Sequence, residues 1–546
     1  MDRRAFLTRG TSPFFTKKSN EAISRSLASG LNPYMGNLTS NEVAHLLKRT
    51  MFGAKKTDVD YFVNRSLGNA VDELLNIIPV VTPPVREYGL IQDEFGVLFD
   101  DLGVPQGQTW INDLNTTSDP TVRPGINRLR GESLRKWWTG LIVNQTRSIG
   151  EKMILFWHNH FSVQKEEVEN ATHLFRHHDL LRRNALGNIR ELTKQVSIDP
   201  AMLIHLNGNL NSKLAPDENY ARELQELMTV GKGIDSLYIE SDVLEAARVL
   251  TGWRIDSATM TSYFDANHHD TGTKTFSSFY NNTTIAGNTS GLQEIDQFIN
   301  MIFSTSECAK FICRKLYKWF VYYEIDDTTE INVITPLSEI LITNNYEIKP
   351  VLKALLMSEH FFDPLNQACY IKSPYDLIVG TLREFEVSFP TYTDYSNGYP
   401  LFYSVYKQAA EMQQDLFQPP DVSGWPSYHQ DPMHYELWIN SNSLPKRAEF
   451  TDDLINDAVL DLQSFVRYSL NPGDPNRMVD DITRLLFRYP LSASSKYYIK
   501  NTFLLNNSGD DTVWTNAWNS NNTTVIKTSL DNMFIFLMNL PEYHLC

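Results

Sequence analysis

The sequence predicts a mainly α fold: a large multi-helix globular domain with a small β-hairpin and loop insertion at about 255–290, and long surface loops. Apolar residues recur three and four apart along most of the chain, the spacing of one buried helix face. Between Ile255 and Ser290 that spacing gives way to β-forming residues set among Gly, Asn and Asp turns, as in YFDANHHDTGTKTFSSFYNNTTIAGN. No repeat of fixed period runs through the chain, which argues against a solenoid.

Thr39 or Ser40 can cap a helix through NEVAHLLKRTMF, and Asp58 opens a second that ends near Leu75. Residues 79–125, rich in Pro, Gly, Asp and Thr, read as a surface excursion. Helix resumes through GESLRKWWTGLIVNQ and EKMILFWHNHFSV, and again over 171–206. Residues 217–253 form two amphipathic helices joined by a glycine-marked turn. In the first, Tyr220, Leu224, Leu227 and Met228 make the apolar face; Asn219, Glu223 and Glu226, at i, i+4 and i+7, make a polar stripe beside it. Helices are predicted again at 291–304, 307–323, 348–359, 373–387 and 404–415. LFQPPDVSGWP (416–426) cannot be helix, because paired prolines lack amide donors and clash with the preceding turn. Further helices are predicted at 443–470, 477–488 and 528–540.

At 546 residues, 42% of them hydrophobic, the chain can fill roughly three or four average domains and a large core. A mean hydropathy of -0.32, with no apolar run near about 18 residues, predicts a soluble protein without a transmembrane segment. The net charge of -16 and the absence of a basic stripe argue against a nucleic-acid partner. Cys308, Cys313, Cys369 and Cys546 contain no CxxC pair and read as buried thiols. No GxSxG, Walker loop, GxGxxG or HExxH occurs, which removes the commonest hydrolase and nucleotide-binding readings.

The amino terminus, MDRRAFLTRG, resembles a twin-arginine export pattern at Arg3-Arg4, but the adjoining TSPFFTKKSNEAISRSLASG is polar and basic instead of apolar. Residues 1–38 are therefore either a basic arm or a degenerate, partner-assisted export signal. Residues 39–450 read as the helical core, and 451–546 as a helical extension packed on it.

Eight segments occur in a telling order: HLLKRTMFGA (45–54), FWHNHF (156–161), DENYARELQELMTVG (217–231), DVLEAARVLTGW (242–253), HDTGTKTF (269–276), KLYKWFV (315–321), KSPYDLIVGTLR (372–383) and LFQPPDVSGWP (416–426). Together they resemble the bacterial domain of unknown function 1800 family over about residues 40–450. The resemblance implies a mostly helical protein of the periplasm or cell envelope; a cytoplasmic location is the alternative because no apolar signal segment is visible. It also implies a co-encoded partner similar to sulfatases, of the domain of unknown function 1501 family. Asp217 stands where the family usually has Asn, and Met228 where it often has His, which removes a donor from any metal set there.

Several groups are candidates for chemistry. His158 and His160 are metal candidates, although two residues apart on a helix they point about 200° apart and cannot share an ion. Glu223 and Glu226 can converge for metal ligation or acid/base work, or form an ion-pair lattice in which Arg222 meets Glu226 and Arg248 reaches across. His269, Asp270 and Lys274 lie in a loop beside Gly272, a frequent setting for binding or catalysis; His269 and Asp270 also suit a transition metal. The alternative is a turn with Asp270 bonded to backbone and Lys274 solvated. Pro420, Gly424 and Trp425 can wall a sugar or peptide cleft, or anchor the loop. His177, His178 and His205 read as ordinary helix or turn residues.

Two functions emerge as expectations. One is an envelope enzyme, a hydrolase or oxidase dependent on a divalent or transition metal, joining His158 or His160, Glu223 or Glu226, and His269–Asp270, with Lys274 holding an anionic group. The other is a non-enzymatic helical scaffold or export companion that binds the sulfatase-like partner or an envelope polysaccharide.

Overall fold

The computed structural model describes residues 28–76, 78–92, 96, 98–101, 103–113, 122–287 and 290–546. The twin-arginine-like segment, at residues 3–7, lies outside them. The fold is mainly α with small antiparallel two-stranded ladders, as the sequence predicts. The first helices are α1 (Ser40–Thr50), α2 (Lys56–Val63) and α3 (Leu67–Leu74). The Thr39 side chain and the Glu42 carboxylate make a reciprocal cap that starts α1. The helix expected to run from Asp58 to Leu75 is two, because the Ser66 side chain accepts from the Asn69 amide and restarts the chain. A short ladder, β1 (Ile91–Gln92) with β2 (Leu98–Phe99), lies in the surface excursion beyond α3.

The next helix, α4 (Val122–Val143), begins nine residues earlier than expected, since Pro124 falls in its first turn, where no amide partner is needed. After α5 (Gly150–His160), the predicted 171–206 helix divides into α6 (Ala171–Asn184), α7 (Ile189–Val196) and α8 (Pro200–His205). Asn188 and Asp199 cap the second and third. Then come α9 (Glu218–Glu226), capped by Asp217, and α10 (Glu240–Val249). Gly231, at φ +78°, marks the turn between them.

The insertion holds the hairpin β3 (Trp253–Asp256) and β4 (Thr261–Phe264), which pair Trp253 with Phe264 through to Asp256 with Thr261. A shorter ladder joins β5 (Lys274–Thr275) and β6 (Thr284–Ile285). Helices resume as α11 (Gly291–Phe303), α12 (Ser306–Phe320), α13 (Thr335–Thr343), α14 (Ile348–Leu356), α15 (Pro374–Glu384) and α16 (Tyr395–Glu411). The last starts before its predicted 404 because Asp394 caps it and Tyr399 and Phe402 are buried, although Pro400 lies inside it. The C-terminal part holds α17 (Ser443–Asn456), α18 (Pro475–Leu486), α19 (Asp511–Asn519) and α20 (Thr523–Met538). The sequence reading missed α13 and α19. No helix among the described residues is long and apolar enough to cross a membrane.

The chain end returns to the middle of the fold. Ile371 bridges Leu545, the Cys546 amide donates to the Tyr370 carbonyl at 2.9 Å, and the Arg49 guanidinium donates to Cys546 Sγ at 3.2 Å. All four cysteines are buried.

Two of the eight segments meet where α1 ends. Gly53 has φ +79°, and a Cβ there would sit 2.7 Å from the Cα and carbonyl oxygen of Gly380 on α15, whereas a Cβ at Gly380 meets nothing nearer than 3.6 Å. Gly53→Ala is therefore expected to cost more than about 2 kcal/mol, from positive φ and a backbone clash together. Gly380→Ala should stay within about 1 kcal/mol of wild type, since alanine is the better helix former. Urea unfolding of both variants checks the order; equal stability would remove the close approach as the cause.

Candidate functional site

Residues 416–425 lie outside regular helix and strand; Asp421 accepts from the Ser423 and Gly424 amides within the loop, and side chains at the end of α5 hold two further amides. The Phe417 amide donates to His158 Nε2 at 3.1 Å, and the Trp425 amide to Asn159 Oδ1 at 2.9 Å. Gln164 Nε2 donates to the Pro419 carbonyl at 2.8 Å, and Ser162 Oγ to that of Asp421 at 3.3 Å. Gly424, at φ +94°, is required: a Cβ would fall 2.2 Å from Asn159 Oδ1. His160 turns the other way and donates from Nε2 to the Met228 carbonyl at 3.0 Å, just past α9. The two histidines thus hold separate segments and do not approach a common ion. Met228 is itself buried. Trp425 points inward, 5.7 Å from the His158 ring, so it anchors the loop; Pro420 is exposed.

The insertion residues make a second, closed network. His269 Nε2 lies 3.0 Å from Glu294 Oε1, Lys274 pairs with Glu294 Oε2, and all three side chains are 0% exposed, beyond the reach of a substrate. Lys274 also donates to the Asp270 carbonyl, and His269 Nδ1 lies 2.9 Å from the Thr251 carbonyl. This overturns the expectation of a solvated Lys274 or one that holds a substrate anion. Arg248 grips Asp270 with two bonds of 2.8 and 3.1 Å and pairs with Glu245 at 2.7 Å. It does not reach the Glu223–Glu226 stripe, because Asp270 is nearer on its own side. Glu294 escaped sequence reasoning; the available signal was an acidic residue beside Ile295 and Phe298 on an apolar helix face.

The open polar group is built on α9, α12 and the 416–430 loop. On α9, Glu226 is engaged by Lys232 at 3.2 Å and Arg222 at 3.9 Å, and Arg222 also bonds Glu240 and Glu218. Arg222 thus joins Glu218, Glu226 and Glu240 in a surface ion-pair group that does not include Arg248. Glu223, half-buried, makes no ion pair or hydrogen bond among the described residues. Burial raises its pKa, with repulsion from Glu226 and Asp421 adding to the shift and Arg222 and Lys232 opposing it. On α12, Lys315 likewise has no ion pair or hydrogen bond among the described residues; its ammonium lies 5.4 Å from the centroid of the Phe311 ring. Burial pushes it down to about 8, with Lys318 repelling and Asp421 opposing. On the loop, His429 Nε2 lies 3.6 Å from Asp421 Oδ1 and makes no hydrogen bond. Burial lowers its pKa against the pull of Asp421.

Asp421, 47% exposed at its side chain, lies 3.6 Å from His429 and also acts electrostatically on Glu223 and Lys315. No three His, Cys, Asp or Glu side chains among the described residues converge on one metal position. Asp421 and Lys315 lie within motif segments noted in the sequence, but neither spacing nor composition joins those segments, and His429 lies three residues past the last motif.

Sequence comparison matches residues 45–545 to a family described as Protein of unknown function (DUF1800). The chain belongs to the DUF1800 family. No curated protein and no solved structure matches it. The family match spans both the proposed core and the C-terminal helices, and every residue of the Asp421 group falls inside it.

Burial also holds His45, His158 and His160 down to about 3, against an ordinary 6.5. Between those values the unfolded chain binds protons that the folded chain refuses, so stability is lost as pH falls from about 6.5 toward 3. Each imidazole contributes a slope of about 1.4 kcal/mol per pH unit. Urea unfolding at pH 7, 5.5 and 4.5 is expected to show this, and His158→Gln should remove one share of the slope. A stability independent of pH over this range would contradict the neutral clamps.

Proposed function

We propose that this DUF1800 protein is a hydrolase of the bacterial envelope working by general acid–base chemistry at the Asp421 group. His429 is the base, neutral at pH 7, with Asp421 3.6 Å from its Nε2; it takes a proton from water. Glu223, whose carboxyl holds its proton more readily than an exposed one, gives a proton to the leaving group. Lys315 holds the anionic oxygen that develops or that the substrate brings. The observation that carries this is the pair left unmatched: Glu223 and Lys315 stay without ion pairs beside Asp421, while Arg222, Glu226, Lys232 and Glu240 next to them are mutually satisfied. The roles given to His269, Asp270 and Lys274 pass to this group.

A metal-dependent hydrolase or oxidase is the variant reading; it would need Glu223, Glu226, Asp421 and His429 to draw together, because no three such donors converge among the described residues. Elemental analysis of protein purified without chelators separates the two. Near-stoichiometric zinc, iron, copper or manganese would move water or oxygen activation onto the ion. The scaffold reading, with a sulfatase-like or polysaccharide partner, draws on Ile234 and Leu237, 92% and 69% exposed on the segment joining α9 to α10. A stoichiometric partner in a pull-down from the host, lost in Ile234→Asp, would favour it.

The acid–base reading is tested on a panel of chromogenic esters, amides and glycosides. Glu223→Gln, His429→Gln and Lys315→Met should each lower kcat/KM by roughly 10²–10⁴ with unchanged circular dichroism. Because Lys315 acts as a cation with a pKa of about 8, activity should fall as pH rises through that value, and Lys315→Arg should move the falling limb upward. Wild-type turnover in the Glu223 and His429 variants would sink the assignment.

A further inference from the structure

A cavity of about 560 Å³ opens between α4, the segment around Glu87 and α16, and none of its lining residues belongs to the Asp421 group. We propose that it binds an uncharged stretch of a polysaccharide chain. The inference stands independently of the acid–base reading.

Tyr395, Tyr399 and Tyr403 line the cavity and recur every four residues on α16, so they form one stripe along about 12 Å of helix. Tyr395 and Tyr403 are half-buried, while Tyr399 is 1% exposed and forms part of the floor. Tyrosine offers an apolar face with a polar tip, which suits the C–H face and rim hydroxyls of a sugar ring.

The charged lining selects among saccharides. Lys136 Nζ is held between Glu87 at 2.9 Å and Glu132 at 2.8 Å and lies 5.0 Å from the Tyr403 ring centroid. Its charge is doubly compensated, so the cavity carries one net negative charge from these three groups and repels uronate, sulfate or phosphate substituents. The lysine also keeps both carboxylates engaged, which makes this a binding site and not a second centre of hydrolysis. Glu87 is nine-tenths buried, and burial raises its pKa. Its Oε2 makes no hydrogen bond, and the neighbouring Ser133 hydroxyl donates at 2.8 Å to the Val85 carbonyl instead. That oxygen is shielded from solvent, so a ligand's hydroxyls bond the exposed polar rim instead, where Gln106 and Ser396 line the mouth. A proline-rich peptide, the rival occupant of a tyrosine-lined groove, brings no amide hydrogen from its prolines for the polar rim of Gln106 and Ser396.

The full chain is titrated by calorimetry with neutral soluble glucans and mannans, with alginate and dextran sulfate, and with a polyproline decapeptide. Binding of at least one neutral polysaccharide is expected, with no binding of the polyanions or the peptide. Tyr395→Ala should weaken it at least ten-fold. Ser396→Trp, which fills the mouth from an exposed lining position and removes no buried group, should abolish it. Lys315→Met, at the other site, should leave it unchanged. Failure of every neutral glycan, preference for the polyanions or the peptide, or binding that survives Ser396→Trp would each overturn the proposal.

Discussion

The rest of the site depends on three consecutive side chains at the end of α5. The loop carrying two prolines and a positive-φ glycine satisfies its Ser423 and Gly424 amides through Asp421 but not those of Phe417 and Trp425, and an unsatisfied buried amide costs about 1–3 kcal/mol. His158 and Asn159 accept the Phe417 and Trp425 amides, and so fix both ends of the segment that carries Asp421. His160 holds the Met228 carbonyl and thereby the end of the helix that carries Glu223. The divergence that keeps two helical histidines from sharing an ion is what lets them secure two different elements. The resulting juxtaposition of Asp421 with Glu223 is set by backbone contacts, which leaves the two carboxylates without a direct tie between them.

Much of the fold was legible because its determinants are local. Asp217, Asn188 and Asp199 each cap a helix through their own side chains, and the Pro419–Pro420 pair forbids helix whatever surrounds it. Boundaries failed where tertiary burial outweighed a local signal, as at Pro400, whose missing donor is tolerated inside a helix that buries Tyr399 and Phe402. The candidate site was legible only in parts. Glu223 stood out through its spacing along one face, but its relation to Lys315 and His429 spans some 90 and 200 residues and leaves no periodic trace. His269, Asp270 and Lys274 are a related case: a loop-like composition does not reveal that Glu294 of α11 meets His269 and Lys274, or that Arg248 of α10 holds Asp270.

The two polar networks supply a physical contrast. His269, Glu294 and Lys274 are fully buried, and each charge meets an opposite one at bonding distance, the arrangement that burial of ions demands if the fold is to tolerate it. Lys315 and Glu223 are only partly buried and could each relax into water or toward a partner, yet neither has one. Holding an ammonium whose pKa is depressed to about 8 near one carboxylate, Asp421, that it does not bond is an expense with no structural return. Glu226, three residues along the same stripe, shows that the alternative is available: Lys232 and Arg222 meet it directly. Where one helix face pairs one carboxylate and leaves the next unpaired, the unpaired carboxylate marks the place where a substrate can complete the electrostatics.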